Sequence, residues 1–186
     1  MPLRFDLSSS SFDDSFEIFI NNKRETNLEV RETVAIILED IRARGDAALC
    51  EATEKFDRFK IKSDSFAFEP GEIVAARSNC AAETLEALEL AAKRIKDFHE
   101  KQLPIDIDGI DETGLRLGSR WTPIRAVGLY VPGGTAAYPS SVLMNAIPAK
   151  VARVERVVMV VPTPNGAIDP LVLTAAEIAG VDEIYR

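Results

Sequence analysis

Apolar residues recur at helical spacing along the first half of the chain. The earliest clear stripe comprises Val30, Val34, Ile37, Leu38 and Ile41. Thr26 and Glu29 lie three positions apart just before it, which matches a capping box, and Gly45 follows it as a helix stop. The pattern therefore predicts a helix that begins at Thr26 and ends before Gly45.

More helical stretches follow this first one. Asp46 is placed to cap a helix running through Leu49 to Phe56, and another start is predicted at Glu69-Pro70-Gly71-Glu72. A later apolar stripe recurs every three or four positions and ends before Pro104; it comprises Leu85, Leu88, Ala92, Ile95 and Phe98. We therefore predict that residues 23–105 form the helical part of a first domain, which needs further chain segments to complete it.

The first residues have a different composition. Residues 1–22 are rich in Ser, Asp and Phe, and their only concentrated apolar stretch is Phe16, Ile18, Phe19 and Ile20. Terminal segments of this kind are poorly ordered unless they dock elsewhere. The pattern predicts an N-terminal arm over residues 1–22 that docks through these side chains.

A change in composition near Asp106 indicates a domain boundary. The stretch IDIDGIDETG is acidic and turn-rich, and alternating β-forming residues come after it. Leu115, Leu117 and Trp121 predict an antiparallel β ribbon, so residues 106–126 are interpreted as a ribbon linker. Trp121 is predicted to be a packing anchor.

The last third of the chain has the pattern of an α/β fold. Buried strands are predicted at Val127 to Val131, at 157–161 and at 183–185, with helices between them around Ser140 to Val154 and at 170–179. This β-α-β-α-β order favours the first half of a Rossmann-like parallel sheet. Residues 127–186 are thus predicted to begin a second, Rossmann-like domain that is incomplete, with an uncovered sheet edge where the chain ends on a strand.

Charge and cysteine usage exclude several classes of function. A net charge of -8 opposes binding to nucleic acid or to anionic membranes, and no apolar run approaches the roughly 18 residues of a spanning helix. The start of the chain lacks a basic segment followed by an apolar one, so a cytoplasmic protein is predicted. Cys50 and Cys80 lie thirty positions apart and are predicted to be buried, reduced thiols, with no metal site in the chain.

The segment from Val127 to Lys150 carries the clearest candidate chemistry. Gly133 and Gly134 permit close backbone approach after a strand, and Ser140, Ser141 and the first amides of the next helix are suited to bind an anionic group. Tyr130 and Tyr138 add flat surfaces on which a ring can stack. Strand-turn-helix corners are also common as plain structure, and this one matches neither G-x-G-x-x-G nor a P-loop, so the residues alone leave both interpretations open.

Longer strings point to a family. GLYVPGGTAAYPSSVLMNAIPAKVARV, followed by VVMVVPTPNG and AAEIAGVDEIYR, is similar in order and spacing to histidinol dehydrogenases, and weaker agreement extends back to about residue 25. The resemblance implies a zinc-requiring homodimer that oxidises L-histidinol to L-histidine in two NAD-dependent steps of histidine biosynthesis. It also implies that Tyr130 contacts NAD. Gly133, Gly134 and Ser140 are added to that cofactor site from the predicted loop geometry.

The resemblance further implies that this chain is the N-terminal portion of such an enzyme. The family's acid/base glutamate and histidine and its zinc ligands would lie in segments after Arg186, so no catalytic or metal-binding residue is assigned here. The only histidine, His99, has no orienting partner in the pattern and is predicted to be structural. The chain alone is therefore expected to be inactive.

Other interpretations remain open at this point. A related enzyme acting on another small alcohol, such as a sulfonated diol, fits the same residues, as does a non-catalytic module for nucleotide binding or protein interaction. The carboxylates of Asp106, Asp108, Asp111 and Glu112 do not complete a calcium loop, because a late bidentate glutamate is missing, and are predicted to be solvated. Unpaired edges and uncovered apolar faces are expected to drive self-association of the chain.

Overall fold

The computed structural model describes residues 4–133 and 137–186, and over 21–28 it describes the backbone alone. The chain forms two compact units that divide between residues 52 and 53. None of the helices in these ranges is both long and apolar enough to cross a membrane.

The first unit is dominated by one long helix, α1, which spans Phe12–Arg44. It ends as predicted at Gly45, whose φ is 60° and whose amide donates to the carbonyl of Ile41 at 2.8 Å. The predicted start at Thr26 is wrong, because the helix begins fourteen residues earlier and Thr26 lies in its interior. Asp13 and Asp14 occupy the true first turn, where carboxylates interact favourably with the helix dipole.

Aromatic packing explains why the predicted arm is largely helical. Phe12, Phe16 and Phe19 follow helical spacing, and the ring of Phe5 lies 6.5, 5.9 and 5.2 Å from theirs, measured between centroids. Ile18, which was predicted to dock, lies on the exposed side instead. Sequence composition alone did not reveal this local cluster, which stabilises the first turns of α1.

Further helices follow at the predicted places. α2 spans Asp46–Asp57, a short 3₁₀ turn spans Ser63–Ser65, α3 spans Pro70–Ser78 and α4 spans Ala82–Glu100. The start of α3 is confirmed, since the Glu69 amide donates to the Glu72 carboxylate at 2.8 Å as a capping box requires.

Two sheets complete the second unit and confirm the α/β fold class. β1, Ile107–Ile110, and β2, Arg116–Ser119, form the predicted antiparallel ribbon. β3, Ala126–Tyr130, β4, Arg156–Val160, and β5, Glu183–Tyr185, form a parallel sheet in the order β3-β4-β5. α5, Pro139–Val151, and α6, Pro170–Ala179, connect these strands, with α5 ending three residues earlier than predicted.

The core of this unit lies between the parallel sheet and its helices. α5 packs against α6, α3 packs against α6, and α4 packs against both α5 and α6. The most deeply buried side chains come from both layers: Val142, Leu143, Ala146, Val157, Met159, Ala175 and Ala176. α3 and α4 thus belong to the same compact unit as the sheet, and the four-part division of the chain into domains stays a prediction.

One edge of the parallel sheet is covered, contrary to the expectation of an open final strand. The Phe68 amide donates to the Ile184 carbonyl, and the Arg186 amide donates to the Phe66 carbonyl, each at 2.9 Å. Ala67 forms an antiparallel bridge with Tyr185. The segment before α3 therefore protects β5, and residues 66–68 have no alternation strong enough to predict a strand there.

Candidate functional site

The candidate site lies at the carboxyl edge of the parallel sheet. Because the strands are parallel, the chain leaves β3 and β4 at the same edge, and α5 and α6 both begin there. We use the term sheet corner for the described residues of 130–141 together with 162–166. Val131 continues the pairing into this corner, since its amide donates to the Val160 carbonyl at 3.0 Å.

Tyr130 presents an open aromatic surface at the corner. It is the last residue of β3 and lies in register with Val160, yet 67% of it is exposed to solvent. Val131 beside it is completely buried, so the backbone is held while the ring stays free. Tyr138, at the start of α5, is also exposed. The corner thus offers flat apolar surface on a fixed strand end.

Gly133 is required by close contact between two loops. A Cβ atom at this position would lie 2.7 Å from the carbonyl oxygen of Pro162, which no ordinary side chain tolerates. The glycine therefore lets the loop after β3 rest against the loop after β4. Gly133 is itself exposed, whereas Gly134 lies outside the described residues.

The first turn of α5 is only partly available to a ligand. Ser140 is exposed there, as a binding role requires. The amides of Ser141 and Val142 instead donate to the Tyr138 carbonyl, at 3.1 and 3.3 Å. The prediction that these first amides are free for an anion is therefore wrong for Ser141.

The loop after β4 forms a second side of the sheet corner, and the sequence did not predict its contribution. Thr163 is 1% exposed, and its hydroxyl has no hydrogen-bond partner among the described residues. Two residues later Asn165 adopts the left-handed conformation, with φ 57° and ψ 22°. Left-handed non-glycine residues cost about 1 kcal/mol or more and are concentrated at functional loops. The string PTPNG predicts only a turn, although its Asn-Gly pair is typical of positive φ.

The corner is suited to binding rather than to proton transfer. Its described residues supply rings, hydroxyls and backbone groups. The nearest carboxylate along these loops is Asp169, which accepts the Leu171 amide at 2.8 Å as the N-cap of α6. Oxidation of an alcohol needs a base for the hydroxyl proton, and the described part of the corner provides none.

Comparison with known proteins identifies the family. The family model described as histidinol dehydrogenase matches residues 20–186. The chain belongs to the histidinol dehydrogenase family. The family match therefore begins at residue 20, within α1. The sequence resemblance had been expected to end near residue 25.

Individual members of the histidinol dehydrogenase family show the same likeness. The chain is 55% identical to the histidinol dehydrogenase of Rhodopseudomonas palustris and 56% identical to that of Nitrobacter winogradskyi, over 186 residues in each case. Each match includes the whole of this chain but only 43% of the relative, so the chain spans less than half the length of these proteins. The crystal structure of histidinol dehydrogenase from Elizabethkingia anophelis is similar with a TM-score of 0.79 and 31% identity, over 84% of this chain and 36% of that one.

The remaining candidate residues lie away from the corner. His99 is half-buried near the end of α4, where its ring meets Phe98 edge to face at 5.3 Å. Cys50 and Cys80 are free thiols, but both are half-buried rather than buried. Cys80 lies between α3 and α6, with its Sγ 3.4 Å from the Thr174 hydroxyl.

The carboxylates after Asp106 are used within the ribbon. Arg116 donates to both oxygens of Asp108 at 2.8 and 2.6 Å, and this contact lowers the pKa of Asp108. The hydroxyl of Thr113 and then the amide of Leu115 lower the pKa of Asp111 in the turn. Trp121, predicted to be a packing anchor, is exposed; only its amide is held, by Asp106 at 2.8 Å.

Proposed function

We propose that this chain forms one wall of the NAD site of a histidinol dehydrogenase, an oxidoreductase of histidine biosynthesis that converts L-histidinol to L-histidine. The observation that supports this most is the open sheet corner, where Tyr130 stands free at the end of a well-held strand. Relatives named histidinol dehydrogenase match the chain throughout its length.

The residues present at the corner fit a dinucleotide. The exposed face of Tyr130 suits stacking against a flat ring, and base–aromatic stacking contributes about 1–3 kcal/mol in other proteins. Gly133 sets the separation of the two loops, Gly134 is proposed to contribute backbone contact, and Ser140 is proposed to bind a polar group at the start of α5. We assign these four residues to cofactor binding and none to proton transfer.

NAD, when bound, accepts the hydride that leaves the alcohol carbon. The residues of this chain bind the cofactor, orient it and exclude water on one side. Among the described residues, no three His, Cys, Asp or Glu side chains lie close enough together to hold a metal ion. We assign no zinc ligand to this chain, because the family's zinc ligands are proposed to lie outside the part of the family that this chain matches. Zinc, the acid/base residues, homodimer formation and a cytoplasmic location remain parts of the proposal for the longer family members.

The test is NAD binding and turnover by the whole gene product that contains this segment. Tyr130→Ala is expected to raise the Kd for NAD about tenfold, the loss that roughly 1.4 kcal/mol of stacking implies, while Tyr130→Phe retains most of the affinity. Phe98→Ala is the matched control, because Phe98 is similarly exposed, at 59%, on a different surface. Unchanged NAD affinity in Tyr130→Ala would overturn the cofactor site.

Substrate choice needs a separate measurement. We expect the whole gene product to oxidise L-histidinol with a higher kcat/KM than a sulfonated diol, and the 186-residue chain to reduce no NAD with either alcohol. Preference for the diol would assign the protein to a different substrate within the same chemistry. NAD reduction by the chain alone would show that this chain contains a base that accepts the hydroxyl proton.

A further inference from the structure

A short basic segment connects α2 to the 3₁₀ turn at Ser63–Ser65. It carries Arg58, Lys60 and Lys62 with no carboxylate between them, in a chain whose net charge is -8. All three side chains are exposed, and within the described part of the chain none of them forms an ion pair. We call residues 58–62 the basic loop.

An aromatic side chain joins the basic loop to the sheet corner. Phe59 is half-buried, and its ring lies so close to Gly166 that a Cβ atom on that glycine would come within 2.6 Å of the ring atom Cε2. Ile61, two residues further along, is only 7% exposed. Because Phe59 and Ile61 alternate with the three cations, their burial leaves the cations at the surface. The basic loop therefore contacts the same loop after β4 that Gly133 approaches.

The sheet corner has no charge of its own. Residues 130–141 and 162–166 contain no Lys, Arg, Asp or Glu. A dinucleotide carries negative charge on both phosphates of its diphosphate, and proteins bind phosphates with free backbone amides or with cations. The amides of Ser141 and Val142 already donate to the Tyr138 carbonyl. The corner thus lacks a positive group for the diphosphate, and the basic loop is a neighbouring source of positive charge.

We propose that the basic loop binds the diphosphate of the dinucleotide, with the Arg58 guanidinium as the principal contact. This proposal rests on the NAD site proposed above and extends it by assigning the residues that hold the phosphates. A guanidinium donates two parallel hydrogen bonds to a phosphate, whereas an ammonium group acts mainly as a point charge. Lys60 and Lys62 therefore add a local positive field around the Arg58 contact.

The backbone at Arg58 offers a way to separate phosphate binding from a structural role. Arg58 follows α2 directly and has a φ of 54°, in the left-handed region where glycine is the usual residue after a helix. Arg153 has a φ of 64° two residues after α5 and is also exposed. It precedes β4, so it lies at the amino edge of the parallel sheet, opposite the sheet corner. Glycine suits the backbone at both positions, and only Arg58 adjoins the proposed NAD site.

The test is NAD binding by the whole gene product, measured by isothermal titration calorimetry at about 0.05 M and 0.3 M NaCl, since salt screens exposed charges. Arg58→Gly is expected to raise the Kd for NAD about tenfold, as the loss of hydrogen bonds from a charged group implies. It should also reduce the weakening of NAD binding by salt. Arg153→Gly is the matched control and should change neither quantity.

Three results would overturn the proposal. The first is unchanged NAD affinity in Arg58→Gly, and the second is an equal loss of affinity in Arg153→Gly. The third is a loss in Arg58→Gly with the full salt dependence of the wild type, because a purely structural effect would lower affinity without removing a charge contact.

A second variant keeps the test decisive if glycine loosens the basic loop. Asparagine also adopts the left-handed conformation but carries no charge, so Arg58→Asn should reproduce both effects of Arg58→Gly. Wild-type affinity in Arg58→Asn would overturn the proposal. Tyr130→Ala reports separately on the proposed function. A loss of NAD affinity in Tyr130→Ala without one in Arg58→Gly would keep the NAD site and reject the basic loop, whereas no loss in either variant would reject both.

Discussion

The parallel sheet and the ribbon lie in the same compact unit, yet their apolar residues have opposite environments. In β4, Val157 and Met159 are fully buried in a core that they share with residues of α5 and α6. In the ribbon, Ile107 and Leu117 have similar hydrophobicity and similar alternation but remain mostly exposed. An alternating pattern therefore indicates which face of a strand is meant to be covered, and it does not indicate that the covering element lies nearby in the chain.

The difference follows from where the partner segments lie in the chain. The helices α5 and α6, which share a core with β4, are its immediate neighbours in sequence, as β-α-β connections require. The ribbon connects strands through a five-residue turn and brings no helix with it. Its stability must come from an element distant in sequence or from another molecule. The two regions should consequently respond differently to equivalent substitutions.

The largest contrast is expected between Met159→Ala and Leu117→Ala. Met159 is fully buried in β4, and truncating a buried methionine costs about 2–5 kcal/mol. Leu117 is mostly exposed, and surface substitutions usually change stability by less than about 0.5 kcal/mol. Urea unfolding of the chain at low protein concentration, followed by far-UV circular dichroism, measures both. A loss for Leu117→Ala as large as that for Met159→Ala would show that the Leu117 side chain is packed within the monomer.

Sequence reasoning succeeded where local signals agree with packing inside the chain. The Gly45 stop, the Glu69–Glu72 capping box and the β-α-β-α-β order are all confirmed. It failed at the start of α1, where an aromatic cluster around Phe5 extends the helix through residues that resembled an arm. It also missed the covering of β5 by residues 66–68, because that contact joins positions more than a hundred residues apart.

At the sheet corner, the protein family was easier to predict from the sequence than the atoms that surround each residue. The Tyr130 string indicated the family, and the paired glycines indicated a close backbone approach. The atom that Gly133 approaches, the Pro162 carbonyl, could not be predicted, because it depends on how two loops meet in three dimensions. The unpartnered hydroxyl of Thr163 was hidden for the same reason, since burial of a threonine cannot be recognised from a Pro-rich turn.

A smaller contrast is expected between two glycines. A Cβ atom would meet the Pro162 carbonyl oxygen at 2.7 Å from Gly133 and the Ile107 carbonyl oxygen at 2.6 Å from Gly118. Gly133→Ala should cost about 1–3 kcal/mol of unfolding free energy, as overpacking does, because two loops of the packed sheet must separate. Gly118→Ala should distort the ribbon while changing the main unfolding transition by less than about 0.5 kcal/mol.

Gly128→Ala is the control for this glycine pair. Gly128 lies in β3, and nothing lies within 4 Å of the position that its Cβ would occupy. Its substitution should leave the urea midpoint nearly unchanged. If Gly118→Ala and Gly133→Ala lowered the midpoint equally, the ribbon and the parallel sheet would have to unfold as one cooperative structure.

The smallest contrast concerns pH. The Lys150 ammonium and then the Val157 amide lower the pKa of Asp182 below its ordinary 3.8, and the Arg156 guanidinium and then the Tyr185 hydroxyl lower the pKa of Glu183 to about 2. A carboxylate with a lowered pKa in the folded state stabilises the protein above its unfolded pKa. This stabilisation is lost as pH falls from about 4.5, the ordinary glutamate value, toward 2.

Asparagine variants show which region of the chain causes the loss of stability at low pH. Asp182 joins α5 to the start of β5 and accepts from the β4 backbone, so Asp182→Asn should flatten the fall of Tm below pH 3.8, the ordinary pKa of an aspartate. Asp108→Asn removes a carboxylate whose pKa is also lowered, by Arg116, but within the ribbon alone. Its melting curve should follow the wild type at every pH, because solvent screens an exposed ion pair and the ribbon adds little to the cooperative transition. Equal flattening by the two variants in thermal melts between pH 2 and pH 6 would mean that the ribbon unfolds together with the parallel sheet.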